Sequence, residues 1–130
     1  MATHKAGEGR RLITILTTPD AQTQLMAMVL TMSAIAKGAQ ARILLCGPAG
    51  DIALKDAPES ATAGQPPRGA SPQGLMRQMI ESGAAVVQVC ALYLPGRGAA
   101  PSVLIDGVGV AAPGAMAAEL MADDTVILSF

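Results

Sequence analysis

Aromatic residues are almost absent from this sequence, which has one Tyr, one Phe and no Trp among 130 residues. Proteins that bind single-stranded nucleic acid combine aromatic side chains, on which bases stack, with a positively charged groove. The sequence indicates neither feature, because its formal net charge at pH 7 is −1. We therefore expect no nucleic-acid partner and no electrostatic attraction to an anionic membrane.

Long apolar runs and targeting signals are also missing. The longest uncharged stretch, residues 21–36, is too short to span a bilayer and contains Gln, Thr and Ser. The first ten residues lack the apolar segment of a signal peptide, and we interpret residues 1–10 as a disordered lead-in. The sequence therefore predicts a cytoplasmic protein with no membrane association, whose two cysteines stay reduced.

Motifs for metals and cofactors are scarce as well. The single histidine, His4, lies in the lead-in, so a Cys–His pair would require the chain to fold back, and zinc would lack ligands. The glycines of residues 47–50 match neither the dinucleotide fingerprint nor the phosphate-binding loop. Most carboxylates, Asp51 among them, fall at helix ends, where capping is the ordinary explanation. We predict no metal and no bound cofactor.

Strand and helix patterns alternate along residues 11–130. Aliphatic and β-branched runs predict five strands, at 11–17, 41–46, 84–89, 108–111 and 125–130. Apolar residues at helical spacing predict helices that run from Thr18-Pro19-Asp20 to Gly38, from Ser71 to Gly83 and from Pro113 to Asp123, each beginning near a proline. The alternation predicts one domain, a three-layer α/β/α sandwich with a five-stranded, mainly parallel sheet.

One segment interrupts this alternation. Residues 57–74 are rich in Pro, Gly, Ser, Ala and Gln, a composition that buries little apolar area. We predict a flexible loop there, which is either a lid over the strand ends or a tolerated insertion.

Cys90 is the best candidate for a chemical centre. It ends the buried third strand, and reacting groups in open parallel sheets collect at the carboxyl ends of strands, where a following helix can lower a thiol's pKa. The alternative is that Cys90 is a small core residue.

Cys46 also ends a strand. The expected strand order, 2-1-3-4-5, places the first strand between the two cysteines, about 10 Å apart and beyond disulfide reach, so each would act alone.

Several short motifs resemble the DsrE/DsrF-like family. They are Val89-Cys90-Ala91-Leu92-Tyr93-Leu94-Pro95, Leu104-Ile105-Asp106-Gly107-Val108, Ala112-Pro113, the closing run 124–130 and, more loosely, Leu45-Cys46-Gly47-Pro48. The resemblance implies a five-stranded sandwich that assembles as homotrimers or homohexamers. It also implies that Cys90 accepts sulfane sulfur as a persulfide and passes it to a small sulfur-carrier protein. Cys46 has no counterpart in that relay and would be an auxiliary thiol. The sequence departs from the family pattern after Cys90, where it is more apolar and is interrupted by Pro95.

Three functional hypotheses follow. The first is intracellular sulfur transfer or sulfur carriage through Cys90, which would make the protein a sulfurtransferase. The second is a non-catalytic oligomeric module that binds a small ligand in the crevice at the strand ends, under residues 57–74. The third is a thiol-dependent redox enzyme, for which the expected strand order supplies no resolving cysteine. The high apolar fraction of the sequence and the apolar segment Leu92-Tyr93-Leu94 also indicate self-association, independently of the family resemblance.

Overall fold

A computed structural model describes residues 9–130, in which five parallel strands alternate with helices. The strands are β1 (Arg11–Leu16), β2 (Gln40–Leu45), β3 (Ala85–Cys90), β4 (Val108–Ala111) and β5 (Thr125–Ser129). The α-helices are α1 (Ala21–Ala36), α2 (Glu59–Thr62), α3 (Pro72–Glu81), α4 (Tyr93–Arg97) and α5 (Pro113–Leu120). Two 3₁₀ helices span Gly47–Ala53 and Pro101–Val103. His4 and most of the predicted lead-in, 1–10, lie outside the described residues.

Local capping explains where the main helices begin. The Asp20 side chain accepts a hydrogen bond from the Thr23 backbone N–H at 2.8 Å, which satisfies a free donor at the start of α1. Ser71 does the same for α3 by accepting from the Gly74 N–H at 3.0 Å, and Pro72 occupies the first helical position. The start of α3 is therefore as the sequence predicts, whereas α1 starts two residues later than predicted, because the capping side chain is that of Asp20 and not that of Thr18.

The five strands form a single parallel sheet in the order β4-β3-β2-β1-β5, with helices on both faces. This confirms the three-layer α/β/α class. The predicted order 2-1-3-4-5 is wrong, because β3 pairs with β2 and not with β1. The chain steps outward from β1 through β2 and β3 to β4, and then returns to the opposite edge as β5. A right-handed connection in the returning direction must cross the other face of the sheet, which explains the position of α5.

Each face of the sheet has its own cover. On one face, Thr14 of β1 shares a buried hydrogen bond of 2.7 Å with Thr31 of α1, and the main core packs between the sheet, α1 and α3. On the other face, Met116 of α5 packs against Leu44 and Ala111. This second layer consists of one eight-residue helix, so that face is covered less completely.

Residues 57–74 contain more regular structure than their composition predicts. They include α2, the start of α3 and an antiparallel bridge between Gln65 and Ala70. The Gln65 side chain donates to the Ala21 carbonyl at 2.9 Å, which attaches this segment to the start of α1. The flexibility of the segment stays a prediction. None of the helices within residues 9–130 is long and apolar enough to cross a membrane.

Candidate functional site

Cys90 is the last residue of β3 and is half-buried. Its side chain contacts the small apolar cluster formed by Leu44, Ala111 and Met116, on the face covered by α5. A free thiol therefore lies at the carboxyl end of an inner strand, where the sequence places it. Cys90 also packs against the main core, so its chemical and its structural interpretation both stay predictions.

Cys46 lies beside Cys90. Cys46 directly follows β2, its backbone remains extended (φ −126°, ψ 150°), and its N–H donates to the Leu16 carbonyl at 2.9 Å. The register pairs Leu45 with Val89, so the next residues, Cys46 and Cys90, lie opposite one another. Both side chains pack against the same apolar cluster under α5. The expectation that a strand separates the two cysteines is therefore wrong.

The two thiols differ in their electrostatic environment. Burial and, to a lesser degree, the neighbouring Cys90 side chain raise the pKa of Cys46 to about 11. Both effects favour the protonated form of Cys46. At neutral pH, Cys46 is therefore a protonated thiol and a poor first nucleophile.

An open cavity of about 660 Å³ lies in front of both cysteines. Its walls come from the turn after β2, with Gly47, Pro48 and Asp51, and from the segment after β3, with Leu92, Tyr93, Gly96 and Arg97. No residue of the 57–74 segment lines it, so this segment does not cover the two thiols. The lid interpretation of residues 57–74 therefore does not apply to this cavity.

A polar network faces the cysteines across the cavity. The Tyr93 hydroxyl donates to Oδ1 of Asp51 at 2.6 Å, and an Arg97 guanidinium N–H donates to the same oxygen at 3.0 Å. The Arg97 guanidinium also lies 5.5 Å from the centre of the Tyr93 ring. Burial raises the pKa of Tyr93, and Asp51 raises it further, so the phenol stays neutral. Arg97 is nearly half exposed and retains donors that can reach an anion in the cavity.

Two further residues support this network. A Cβ atom at Gly50 would overlap the ring of Tyr93, so a glycine is needed for the ring to pack there. Gln73 is buried and donates to the Ile52 and Leu54 carbonyls, each at 3.0 Å, which holds the 3₁₀ segment that carries Asp51.

Sequence reasoning missed most of this network. It assigned Asp51 to helix capping and did not single out Tyr93 or Arg97. One local signal was available: Tyr93 and Arg97 both follow Cys90 and are four residues apart, which places them on one face of a helical turn. Asp51 is far from both in sequence and could not be joined to them. Within residues 9–130, no group of three or more metal-ligating side chains is assembled.

The parallel five-stranded sheet, with helices on both faces and paired thiols at its carboxyl edge, defines the structural class of this protein. The solved structures that are similar to this chain include two proteins with the same fold. The protein of unknown function MTH1491 from Methanobacterium thermoautotrophicum is 11% identical in sequence, with a TM-score of 0.72 over 93% of this chain and 99% of that one. The ychN protein from E. coli is 18% identical, with a TM-score of 0.70 over 93% of this chain and 98% of that one.

Both neighbours have the DsrE-like fold, in agreement with the resemblance found in the sequence motifs. No family model matches the sequence, and no curated protein is similar to it. The likeness therefore shows the fold, and the chemistry must be argued from the site.

Proposed function

We propose that this protein transfers or carries sulfane sulfur in the cytoplasm as a persulfide on Cys90. The observation that carries the proposal is the position of Cys90 at the carboxyl end of β3, on the wall of an open cavity, beside a second thiol that stays protonated. The DsrE-like fold of the two structural neighbours supports the same chemistry by analogy.

The loading step requires a nucleophilic thiolate and a sulfur donor. With thiosulfate, the Cys90 thiolate attacks the outer sulfur, a new sulfur–sulfur bond forms, and sulfite leaves with the electron pair of the broken bond. Cys46 cannot replace Cys90 in this step at neutral pH, because its raised pKa keeps it protonated. Arg97 provides a positive charge on the cavity wall, which favours an anionic donor such as thiosulfate or a polysulfide.

The proposal includes a partner and an assembly. A small sulfur-carrier protein would receive the sulfur at the open mouth of the cavity, where Leu92 is 80% exposed. Tyr93 and Leu94 are buried within the chain, so only Leu92 of that segment supports the predicted self-association.

A second argument for a homotrimer or homohexamer comes from the sheet. The register aligns Val86, Arg42, Ile13 and Ile127 in one row across the face that α5 covers. Val86 and Ile127, at the two ends of this row, are about half exposed. A second copy packed on this face would bury both side chains.

One observation favours the alternative function, a non-catalytic ligand-binding module. An apolar cavity of about 550 Å³ lies between α1 and the turn at residues 65–70, with Leu25, Met26, Val29 and Leu75 among its lining residues. Residues of the 57–74 segment line this cavity, which lies on the flank of α1 and not at the cysteines.

The third hypothesis, a thiol-dependent redox enzyme, gains from the corrected strand order, because Cys46 lies where a resolving cysteine would have to be. It differs from the first hypothesis in its oxidant, a hydroperoxide, which would convert Cys90 to a sulfenic acid before Cys46 reacts.

Intact-mass analysis separates the three hypotheses. The Cys46→Ser variant incubated with thiosulfate should gain the mass of one sulfur atom, and the Cys90→Ser variant should gain none. If no variant gains a sulfur adduct with either thiosulfate or polysulfide, the result would contradict the proposal and favour the second hypothesis, a non-catalytic ligand-binding module. Rapid and repeated consumption of hydroperoxide that depends on Cys90 would instead favour the redox enzyme.

A further inference from the structure

Cys46 and Cys90 meet the geometric requirement for direct reaction with each other. Neighbouring strands of a sheet lie about 4.8 Å apart, which falls within the Cα separation of about 4.4 to 6.8 Å that disulfides tolerate. The parallel register places the two residues opposite one another, and both side chains lie on the face covered by α5. The Cys90 side chain is also close enough to contribute to the raised pKa of Cys46.

The positions of the two sulfurs depend on rigid elements. Cys90 is held by the β3 ladder, and Cys46 is held by its hydrogen bond to Leu16 of β1. Neither position depends on residues 57–74. The cavity in front of both sulfurs admits a small donor and a reductant, so a bond between them could form and be reduced again.

We propose that Cys46 resolves the persulfide formed on Cys90, so that the protein releases the sulfane sulfur as hydrogen sulfide. This inference rests on the proposed persulfide. In this step, Sγ of Cys46 attacks Sγ of Cys90 and forms a disulfide. The bond between Cys90 and the outer sulfur breaks, and its electron pair leaves with that sulfur. The proton of Cys46 passes to the departing sulfur, which leaves as hydrosulfide.

The attack of Cys46 on the persulfide balances in electrons and needs no external oxidant. The outer sulfur gains two electrons, and the two cysteine sulfurs together lose two when they join. A dithiol then reduces the Cys46–Cys90 disulfide and becomes a disulfide itself, which restores the protein for another cycle. Cys46 is protonated at neutral pH, so it becomes a nucleophilic thiolate only as its proton passes to the outer sulfur, which needs that proton to leave as hydrosulfide.

The test compares the full-length wild-type chain with Cys46→Ser and Cys90→Ser, each incubated with thiosulfate in the absence of reductant. The wild type should release one hydrogen sulfide per chain and end with a mass two hydrogens below the reduced protein. Peptide mapping without reduction should locate a Cys46–Cys90 link. The Cys46→Ser variant should retain the added sulfur and release no sulfide until a reductant is added, whereas the wild type should release sulfide before any reductant is present.

The outcomes distinguish this inference from the function on which it rests. A wild-type protein that keeps the added sulfur as stably as Cys46→Ser, with no sulfide and no disulfide, would overturn the inference and leave the persulfide intact. A Cys46→Ser variant that acquires no sulfur would overturn the persulfide itself.

A second measurement guards against a folding defect in the variants. Diamide should oxidise the wild type to the same Cys46–Cys90 disulfide, with an unchanged circular dichroism spectrum. Failure to form this disulfide in the folded protein would contradict the paired geometry independently of sulfur chemistry.

Discussion

The hydroxyl of Tyr93 donates a hydrogen bond to Oδ1 of Asp51 at 2.6 Å, joining the segment after β3 to the turn after β2. The two residues are 42 positions apart in the chain, and the contact closes the wall of the cavity opposite the cysteines. Through the same oxygen, Asp51 also positions Arg97. The shape and charge of the cavity therefore depend on this pair.

Tyr93→Phe should destabilise the protein by about 1.5 kcal/mol, because it removes a hydrogen bond to a charged group that is partly exposed. It should also change the pH dependence. The folded protein raises the pKa of Tyr93, so the unfolded chain ionises first, above about pH 10, and wild-type stability falls as pH rises further.

Urea unfolding of the wild type and of Tyr93→Phe across the alkaline range measures this effect. The difference in unfolding free energy between the two proteins should shrink as pH rises through that region. A difference that stays constant would show that the Tyr93 hydroxyl is not held in its neutral form by the fold.

Gly50→Ala should distort the cavity, because the added methyl group overlaps the ring of Tyr93. Overpacking of this kind costs about 1–3 kcal/mol, and we also expect slower loading of Cys90 by thiosulfate. Gly96→Ala is the matched control, since it lines the same cavity and its added Cβ meets no atom within 4 Å. Equal effects of the two substitutions on unfolding and loading would refute the packing argument.

The pH dependence of Cys46 alkylation should depend in part on Cys90. Burial is the largest cause of the raised pKa of Cys46, and the Cys90 side chain supplies the remainder. In Cys90→Ser, the midpoint for the reaction of Cys46 with iodoacetamide should therefore lie below about 11 but above the usual range of a free cysteine. A midpoint near that of an exposed cysteine would mean that burial does not act on Cys46.

Thr31→Val should be more destabilising than Thr14→Val. The Thr31 hydroxyl donates to the Ala27 carbonyl at 2.8 Å, so Thr14 must be the donor in the buried contact between the two threonines. Removal of the Thr31 oxygen leaves a buried Thr14 donor without a partner, at a cost of about 1–3 kcal/mol. The double variant, which has no orphaned group, should recover part of this loss in chemical denaturation, and additive losses would contradict the assigned direction.

Val86→Lys should dissociate the proposed homo-oligomer, because Val86 is about half exposed on the face with the thinner helical layer. Sedimentation of the wild type should show no monomer at micromolar concentration, whereas the variant should shift toward monomer. Val110→Lys is the control, since Val110 is similarly exposed but pairs with Val89, whose side chain faces the main core. A monomeric wild type would contradict the proposal.

Much of the fold could be predicted because its signals are local. The segment Thr18-Pro19-Asp20 and Ser71 mark helix starts to within two residues, and the fourth strand, Val108–Ala111, was predicted with the bounds observed. The composition of residues 57–74 was misleading, since Gln65 and Ala70 pair in a compact turn that its proline and glycine content does not reveal. That turn depends on a contact with α1, which lies far away in sequence.

By itself, the sequence determined the class of fold and the place of Cys90 at the end of a strand, because apolar periodicity and chain breaks act over a few residues. Only the tertiary structure decided that Cys46 is its neighbour and that Asp51, Tyr93 and Arg97 share its cavity. Strands buried on both faces are nearly interchangeable in their local pattern. Their order in the sheet is therefore set by the packing free energy of the whole domain, and that order brings the two sulfurs together.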